Sequence, residues 1–313
     1  MKFLSKLTLL YVWVSLSTLV TLPAVAGMTE WYPFTLDDGH ILVEIELDGI
    51  PTTAILDTGA EINGINNAFI KAHNLEFTKA GRTRINGVYG EDIRDRYNGV
   101  PVKLFGVDLT LNKLVNLNFG GRDRGLILGA GFFDDFVTQI DYPNQRIRLI
   151  NKESIDMAKL RNVRAERDAT SYMPIININL NNQKNAWLML DTGMNGGILV
   201  ERSIVRSKGW LDGQFKVVQS DSAGVTRTQQ IESFLLPSVT VGPFELENVI
   251  VSTPVEGQDI TIADDVGEKT RTNSRIKGKR VDGLLGYDVL KHFVLTIDYD
   301  KGYVHFGLPE DLN

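Results

Sequence analysis

The strongest constraint on this chain is that it is written twice. Ala54-Ile55-Leu56-Asp57-Thr58-Gly59 returns as Trp187-Leu188-Met189-Leu190-Asp191-Thr192-Gly193, an offset of 191 − 57 = 134 positions. Farther along, Leu126-Ile127-Leu128-Gly129 is answered by Gly283-Leu284-Leu285-Gly286. Phe136-Val137-Thr138-Gln139-Ile140-Asp141-Tyr142 is answered by Phe293-Val294-Leu295-Thr296-Ile297-Asp298-Tyr299, at an offset of 298 − 141 = 157. The same motifs in the same order imply two similar structural units. The second copy therefore carries net insertions of 157 − 134 = 23 residues. The polar, charge-rich stretch from Val255 to Val281 is the place for them, and it reads as an exposed loop.

Within each copy the periodicity is that of strands. Val43, Ile45 and Leu47 alternate with Glu44 and Glu46, and Ile176, Ile178 and Leu180 alternate with Asn177, Asn179 and Asn181. This is the pattern of a sheet with one wet face. Asp48-Gly49 and Asn181-Asn182 are turn signals, and the next apolar run leads into Asp-Thr-Gly each time. Short helices are expected over Asn67 to Asn74 and Glu201 to Lys208, the second capped by Gly209. Each copy closes with a hairpin: turns at Pro143-Asn144 and Asp300-Lys301-Gly302 lead into return strands at Arg146 to Ile150 and Tyr303 to Phe306. The expectation is an all-β chain with a few short helices. Its units span 27–155 and 169–313, joined by a charged linker at 156–168.

Residues 1–26 read as a signal peptide: Lys2 and Lys6, then an apolar stretch from Leu7 to Leu22, then Ala24-Val25-Ala26 before Gly27. The expected location is periplasmic or secreted. An uncleaved anchor is the alternative, because Leu7 to Ala26 is close to the roughly 20 residues a spanning helix needs. The net charge of -6 is spread along the chain, which argues against a nucleic-acid partner. With no cysteine there is no disulfide framework and no thiolate chemistry. His40, His73, His292 and His305 show no metal-ligand spacing, so no metal is expected. Gly129-Ala130-Gly131 lacks the third glycine and βαβ context of a dinucleotide fingerprint, and there is no G-x-S-x-G elbow.

What remains is the duplicated Asp-Thr-Gly. Two carboxylates held about 3 Å apart cannot both ionise cheaply, so they share one proton and their apparent pKa values separate. Asp57 and Asp191 would then form an acid and base pair able to activate water against a carbonyl. Which of them begins as the base is not readable from the sequence, because such a pair titrates as a unit. Gly59 and Gly193 would let the loops turn tightly, present N–H groups to the carboxylates and keep side chains off the partner loop.

In these paired motifs the chain resembles the aspartic proteases of the pepsin and retropepsin group, over nearly all of residues 34 to 307. The resemblance implies a bilobal, pseudo-twofold fold in which each lobe supplies one catalytic aspartate. The Leu-Ile-Leu-Gly and Leu-Leu-Gly strands would pack behind the catalytic loops, with Thr58 and Thr192 reaching across to the opposite loop. It implies an endopeptidase that acts on polypeptides without a cofactor, and a β-hairpin flap for which Asn86-Gly87-Val88-Tyr89-Gly90 is the candidate, Tyr89 and Gly90 facing substrate. Ser222-Ala223-Gly224-Val225 is the counterpart, without an aromatic. The chain departs from the pattern after the second glycine, where Met194 stands in place of a small or hydroxylated residue; Ala60 conforms. With neither lobe supplying a hydroxyl there, the dyad is expected to titrate higher and work nearer neutral pH. A silent peptide-binding module on the same fold is the alternative function. A monomer is expected, with a two-site homodimer as the alternative assembly.

Overall fold

The computed structural model describes residues 27–169, 171–262 and 279–312. The signal-peptide reading of residues 1–26 and the middle of the expected 255–281 loop lie outside the described residues. The chain is mostly strand, as the alternating pattern requires. His40–Leu47 buries Val43, Ile45 and Leu47 and exposes Glu44 and Glu46. Asp48 and Gly49 both have positive φ (51° and 76°), as do Asn181 and Asn182 (50° and 53°). These are the left-handed conformations of a two-residue hairpin turn, which Asn, Asp and Gly adopt at least cost.

Residues 35–128 form a ten-stranded sheet and residues 165–285 an eight-stranded one. In the first, Ile50–Leu56 runs parallel to Arg124–Leu128, with Leu56 beside Leu128. In the second, Lys184–Leu190 runs parallel to Gly283–Leu285, with Leu190 beside Leu285. The second member of each pair is also flanked, antiparallel, by Gly64–Asn66 or Ile198–Val200. Each aspartate thus follows directly from a strand buried in the middle of a sheet, which makes it a rigidly placed group.

The closing hairpins do something the sequence did not announce. They leave their own sheets and join each other in a five-stranded sheet, ordered Tyr32–Pro33, Arg146–Ile150, Val137–Asp141, Val294–Asp298, Tyr303–Gly307. The central pair is antiparallel, with Val137 opposite Asp298 and Asp141 opposite Val294. At its midpoint Gln139 donates to the Thr296 hydroxyl at 2.9 Å. One hydrophobic cluster continues through both halves of the chain.

The helices are shorter than expected, Asn67–Ala72 and Arg202–Ser207, and Gly209 takes the positive φ of a helix end (66°). The charged segment 156–168 is more ordered than a linker. It contains a helical turn, Met157–Leu160, and a strand, Ala165–Arg167, that extends the second sheet. Met157, Val163 and Ala165 are buried, so the charges are its solvent face rather than a sign of a loose connection. No helix among the described residues is long and apolar enough to cross a membrane.

Candidate active site

The two Asp-Thr-Gly loops meet. The Asp57 N–H donates to Leu128 O at 2.9 Å and the Asp191 N–H to Leu285 O at 3.0 Å, so each catalytic-loop candidate starts pinned to the neighbouring parallel strand. The glycines that end those strands have a steric reason. A Cβ on Gly286 would lie 2.7 Å from both Met194 Cγ and Met194 O, and one on Gly129 would collide with Ala60 O. The residue after each Asp-Thr-Gly therefore sits directly on the glycine of the hydrophobic-hydrophobic-Gly motif, which couples two motifs that are distant in sequence.

Thr58 and Thr192 are completely buried and bond to each other's loops reciprocally. The Thr58 N–H donates to Thr192 Oγ1 at 3.0 Å, and that hydroxyl donates onward to Leu56 O at 2.8 Å. In the mirror arrangement the Thr192 N–H donates to Thr58 Oγ1 at 3.0 Å, and Thr58 Oγ1 donates to Leu190 O at 2.7 Å. Each hydroxyl is both donor and acceptor, so each loop is held by groups the other loop supplies. This crossing occurs within one chain.

The glycines complete the arrangement. The Gly59 N–H donates to Asp57 Oδ1 at 2.8 Å and the Gly193 N–H to Asp191 Oδ1 at 2.9 Å. A Cβ on Gly59 would lie 2.5 Å from Asp191 Cγ, and one on Gly193 would lie 2.5 Å from the Asp57 oxygens. Only residues without a side chain let the two carboxyls approach this closely.

Asp57 and Asp191 hydrogen-bond each other, and both residues are half-buried. Burial pushes the Asp191 carboxyl well above the ordinary carboxylate range. The Asp57 charge pushes it further, and the Gly193 N–H works against both. Burial also raises Asp57, opposed by the Gly59 N–H, by the bond to Asp191 and by the nearby His40. Burial is the leading cause at both positions. Met194 still presents a backbone N–H toward Asp191, and its side chain packs on Gly286.

These directions fix a stability prediction. Because both carboxyls titrate higher folded than unfolded, the stability they contribute is full below the unfolded value near 3.8 and is lost as pH rises through the raised values. Asp57→Asn and Asp191→Asn should each raise the melting temperature near neutral pH, with the gain shrinking as the pH approaches about 4. Thermal melts at a series of pH values check this. Variants less stable than the parent at neutral pH would contradict a crowded, proton-sharing pair.

The expected flap is a hairpin, Thr78–Gly87 with Gly90–Asn98, and Gly87 pairs with Gly90 at its tip. Tyr89 is not exposed there: it is 4% accessible, and its hydroxyl donates to Ser222 Oγ at 2.7 Å. Ser222 belongs to the corresponding hairpin of the second half, Val218–Ala223 with Thr228–Val241. The tips interlock. A Cβ on Gly224 would lie 3.1 Å from both Val88 Cγ1 and Tyr89 Cδ2, one on Gly87 would lie 2.7 Å from Thr226 Oγ1, and one on Gly90 would strike the Arg227 guanidinium. The start of the inserted segment reaches both hairpins, since Gln229 Nε2 donates to Asp259 O at 3.2 Å and the Thr261 N–H donates to Val88 O at 2.8 Å.

Sequence reasoning gave His40 no part in the site, but it lies close enough to Asp57 to favour that carboxylate. It also passed over Tyr299, whose buried hydroxyl donates to Thr58 O at 3.0 Å. The signal for the tyrosine was present, because Tyr142 and Tyr299 end the repeated Phe-to-Tyr motif. No cluster of His, Asp or Glu suited to a metal occurs among the described residues. No protein-family model matches the chain, and no curated protein sequence matches it significantly.

Proposed function

We propose that this chain is an aspartic endopeptidase with the bilobal architecture of the pepsin and retropepsin group, and that it hydrolyses peptide bonds with a water activated between Asp57 and Asp191. The observation that carries this reading is the reciprocal threonine exchange, which brings one carboxyl from each half of the chain into a shared hydrogen bond at a partly open position. A single turn-forming Asp-Thr-Gly would have no reason to bury a threonine in the opposite loop.

The chemistry follows from one shared proton. The ionised carboxylate takes a proton from water as the water oxygen bonds to the scissile carbonyl carbon, and the other carboxyl gives its proton to the carbonyl oxygen. The product is a neutral gem-diol. The carboxyl that gained the water proton then delivers it to the peptide nitrogen, the C–N bond breaks, and a gem-diol proton returns to the other carboxyl. The dyad is regenerated with its one proton. The N–H groups of Gly59 and Gly193 hold the carboxyls still, so little reorganisation is needed as charge moves. An extended polypeptide would lie under the paired hairpins, which must part to admit it. Residues 1–26 would direct the protein to the periplasm or outside the cell.

The test is digestion of a mixed denatured peptide library by the purified protein from about pH 3 to 8 in ¹⁸O-water. New C-termini carrying ¹⁸O are expected, and Asp57→Asn or Asp191→Asn should each abolish them. A folded parent that cleaves nothing but retains peptides would move the chain to the binding-module reading.

A further inference from the structure

Asp57 and Asp191 are related by the internal repeat, yet the groups behind them are not equivalent. Val137–Asp141 and Val294–Asp298 pair about Gln139 and Thr296, so Tyr142 and Tyr299 leave the two ends of one strand pair. Both rings are buried. Tyr299 stacks on Phe133 with centroids 5.7 Å apart, and its hydroxyl donates to the Thr58 carbonyl at 3.0 Å. Tyr142 packs edge-on to Phe34 and tilted against Tyr287, but its hydroxyl has no hydrogen-bond partner among the described residues. The bond that the repeat would place at the Thr192 carbonyl is therefore not made by Tyr142.

The Thr58 carbonyl and the Gly59 N–H belong to one planar peptide unit. That N–H is the donor to Asp57 Oδ1. A hydroxyl bonded to the carbonyl end holds the plane in orientation and polarises the N–H end, because hydrogen bonds in a chain strengthen one another. The Thr192–Gly193 peptide, which serves Asp191 at 2.9 Å, has no tyrosine behind it.

Resting on the protease reading above, we propose that Tyr299 is a positioning residue that makes Asp57 the resting carboxylate, and hence the base toward water, leaving the shared proton on Asp191. The two carboxyls become unequal through a group on the far side of a peptide bond, while Asp-Thr-Gly itself is the same in both loops. His40, on the adjoining strand His40–Leu47, favours the same carboxylate.

The experiment compares Tyr299→Phe with Tyr142→Phe. Tyr299→Phe should move the acid limb of the kcat/KM profile upward by about half a pH unit and lower kcat with little change in KM, since a polarised donor to a carboxylate is weakened. Tyr142→Phe should leave the profile in place. A Tyr299→Phe variant that only melts earlier, with an unmoved pH profile, overturns the proposal, as does an equal shift in both variants. A second measurement needs neither tyrosine variant nor turnover: ¹³C-carboxyl NMR of the parent, with the dyad signals assigned from Asp57→Asn and Asp191→Asn. Asp57 should ionise first. If Asp191 ionises first, the proposal fails even where peptide cleavage is observed. If no peptide is cleaved but Asp57 ionises first, the protease reading fails while the assignment of the proton stands.

Discussion

Gly193→Ala should lose at least ~10²-fold in peptide cleavage, comparable to a displacement of one ångström at a reacting group. The added Cβ would sit 2.5 Å from the Asp57 carboxylate oxygens, less than any carbon–oxygen contact allows. The loop cannot retreat to make room, because Thr192 beside it is tied on both its N–H and its hydroxyl to the first half of the chain. Relief must come from moving one carboxyl off the other, which ends proton sharing. Overpacking of this kind typically costs about 1–3 kcal/mol, so the variant should fold with a lower melting temperature. Steady-state cleavage beside a thermal melt separates the two effects: a folded variant with parental kcat/KM would refute the contact between Gly193 and Asp57. Gly59→Ala, against Asp191, should behave alike.

Thr192→Val should be the more damaging change to stability. Valine keeps the shape but removes a hydroxyl that accepts from the Thr58 N–H and donates to Leu56 O, leaving both backbone groups buried and unpaired. At roughly 1–3 kcal/mol for each unsatisfied group, the loss is about 2–6 kcal/mol. That is a large part of the roughly 5–15 kcal/mol that holds a typical domain folded. Thr192→Ser restores the hydroxyl and should recover most of it. Thr138→Val is a matched control, because the Thr138 hydroxyl is equally buried but has no partner, and its removal should be neutral or mildly stabilising. Urea midpoints at constant m value measure all three. Equal losses for Thr192→Val and Thr138→Val would show that the reciprocal bonds contribute nothing beyond packing.

The repeat made several features readable before any coordinates. Hydrophobic alternation located the strands around Val43 and Ile176, because a residue's side of a pleated sheet depends only on its parity. Asp48-Gly49 and Asn181-Asn182 marked the turns through conformations that few residues tolerate. The recurrence of Asp-Thr-Gly singled out Asp57, Thr58, Gly59, Asp191, Thr192 and Gly193, and these are the residues the two loops bring together. The hairpin at Asn86 to Gly90 was legible from its glycines, but the burial of Tyr89 against Ser222 was not, since tips meet only after both sheets are placed.

The chain's own sequence determined that there are two like units, that they are built of strands, and which six loop residues carry the candidate chemistry. These are local or repeated properties, set by period, turn stereochemistry and identity. The tertiary structure alone decided that the closing hairpins of both halves share one sheet, that segment 156–168 packs instead of linking, and that His40 comes near enough to Asp57 to act on its charge. It also decided that Tyr299 is bonded while Tyr142 is not, although the repeated motif writes the two alike. A β-strand's hydrogen-bonding edge carries no address, and a hydroxyl's partner depends on groups more than a hundred residues away, so these distinctions arise only once the whole chain is packed.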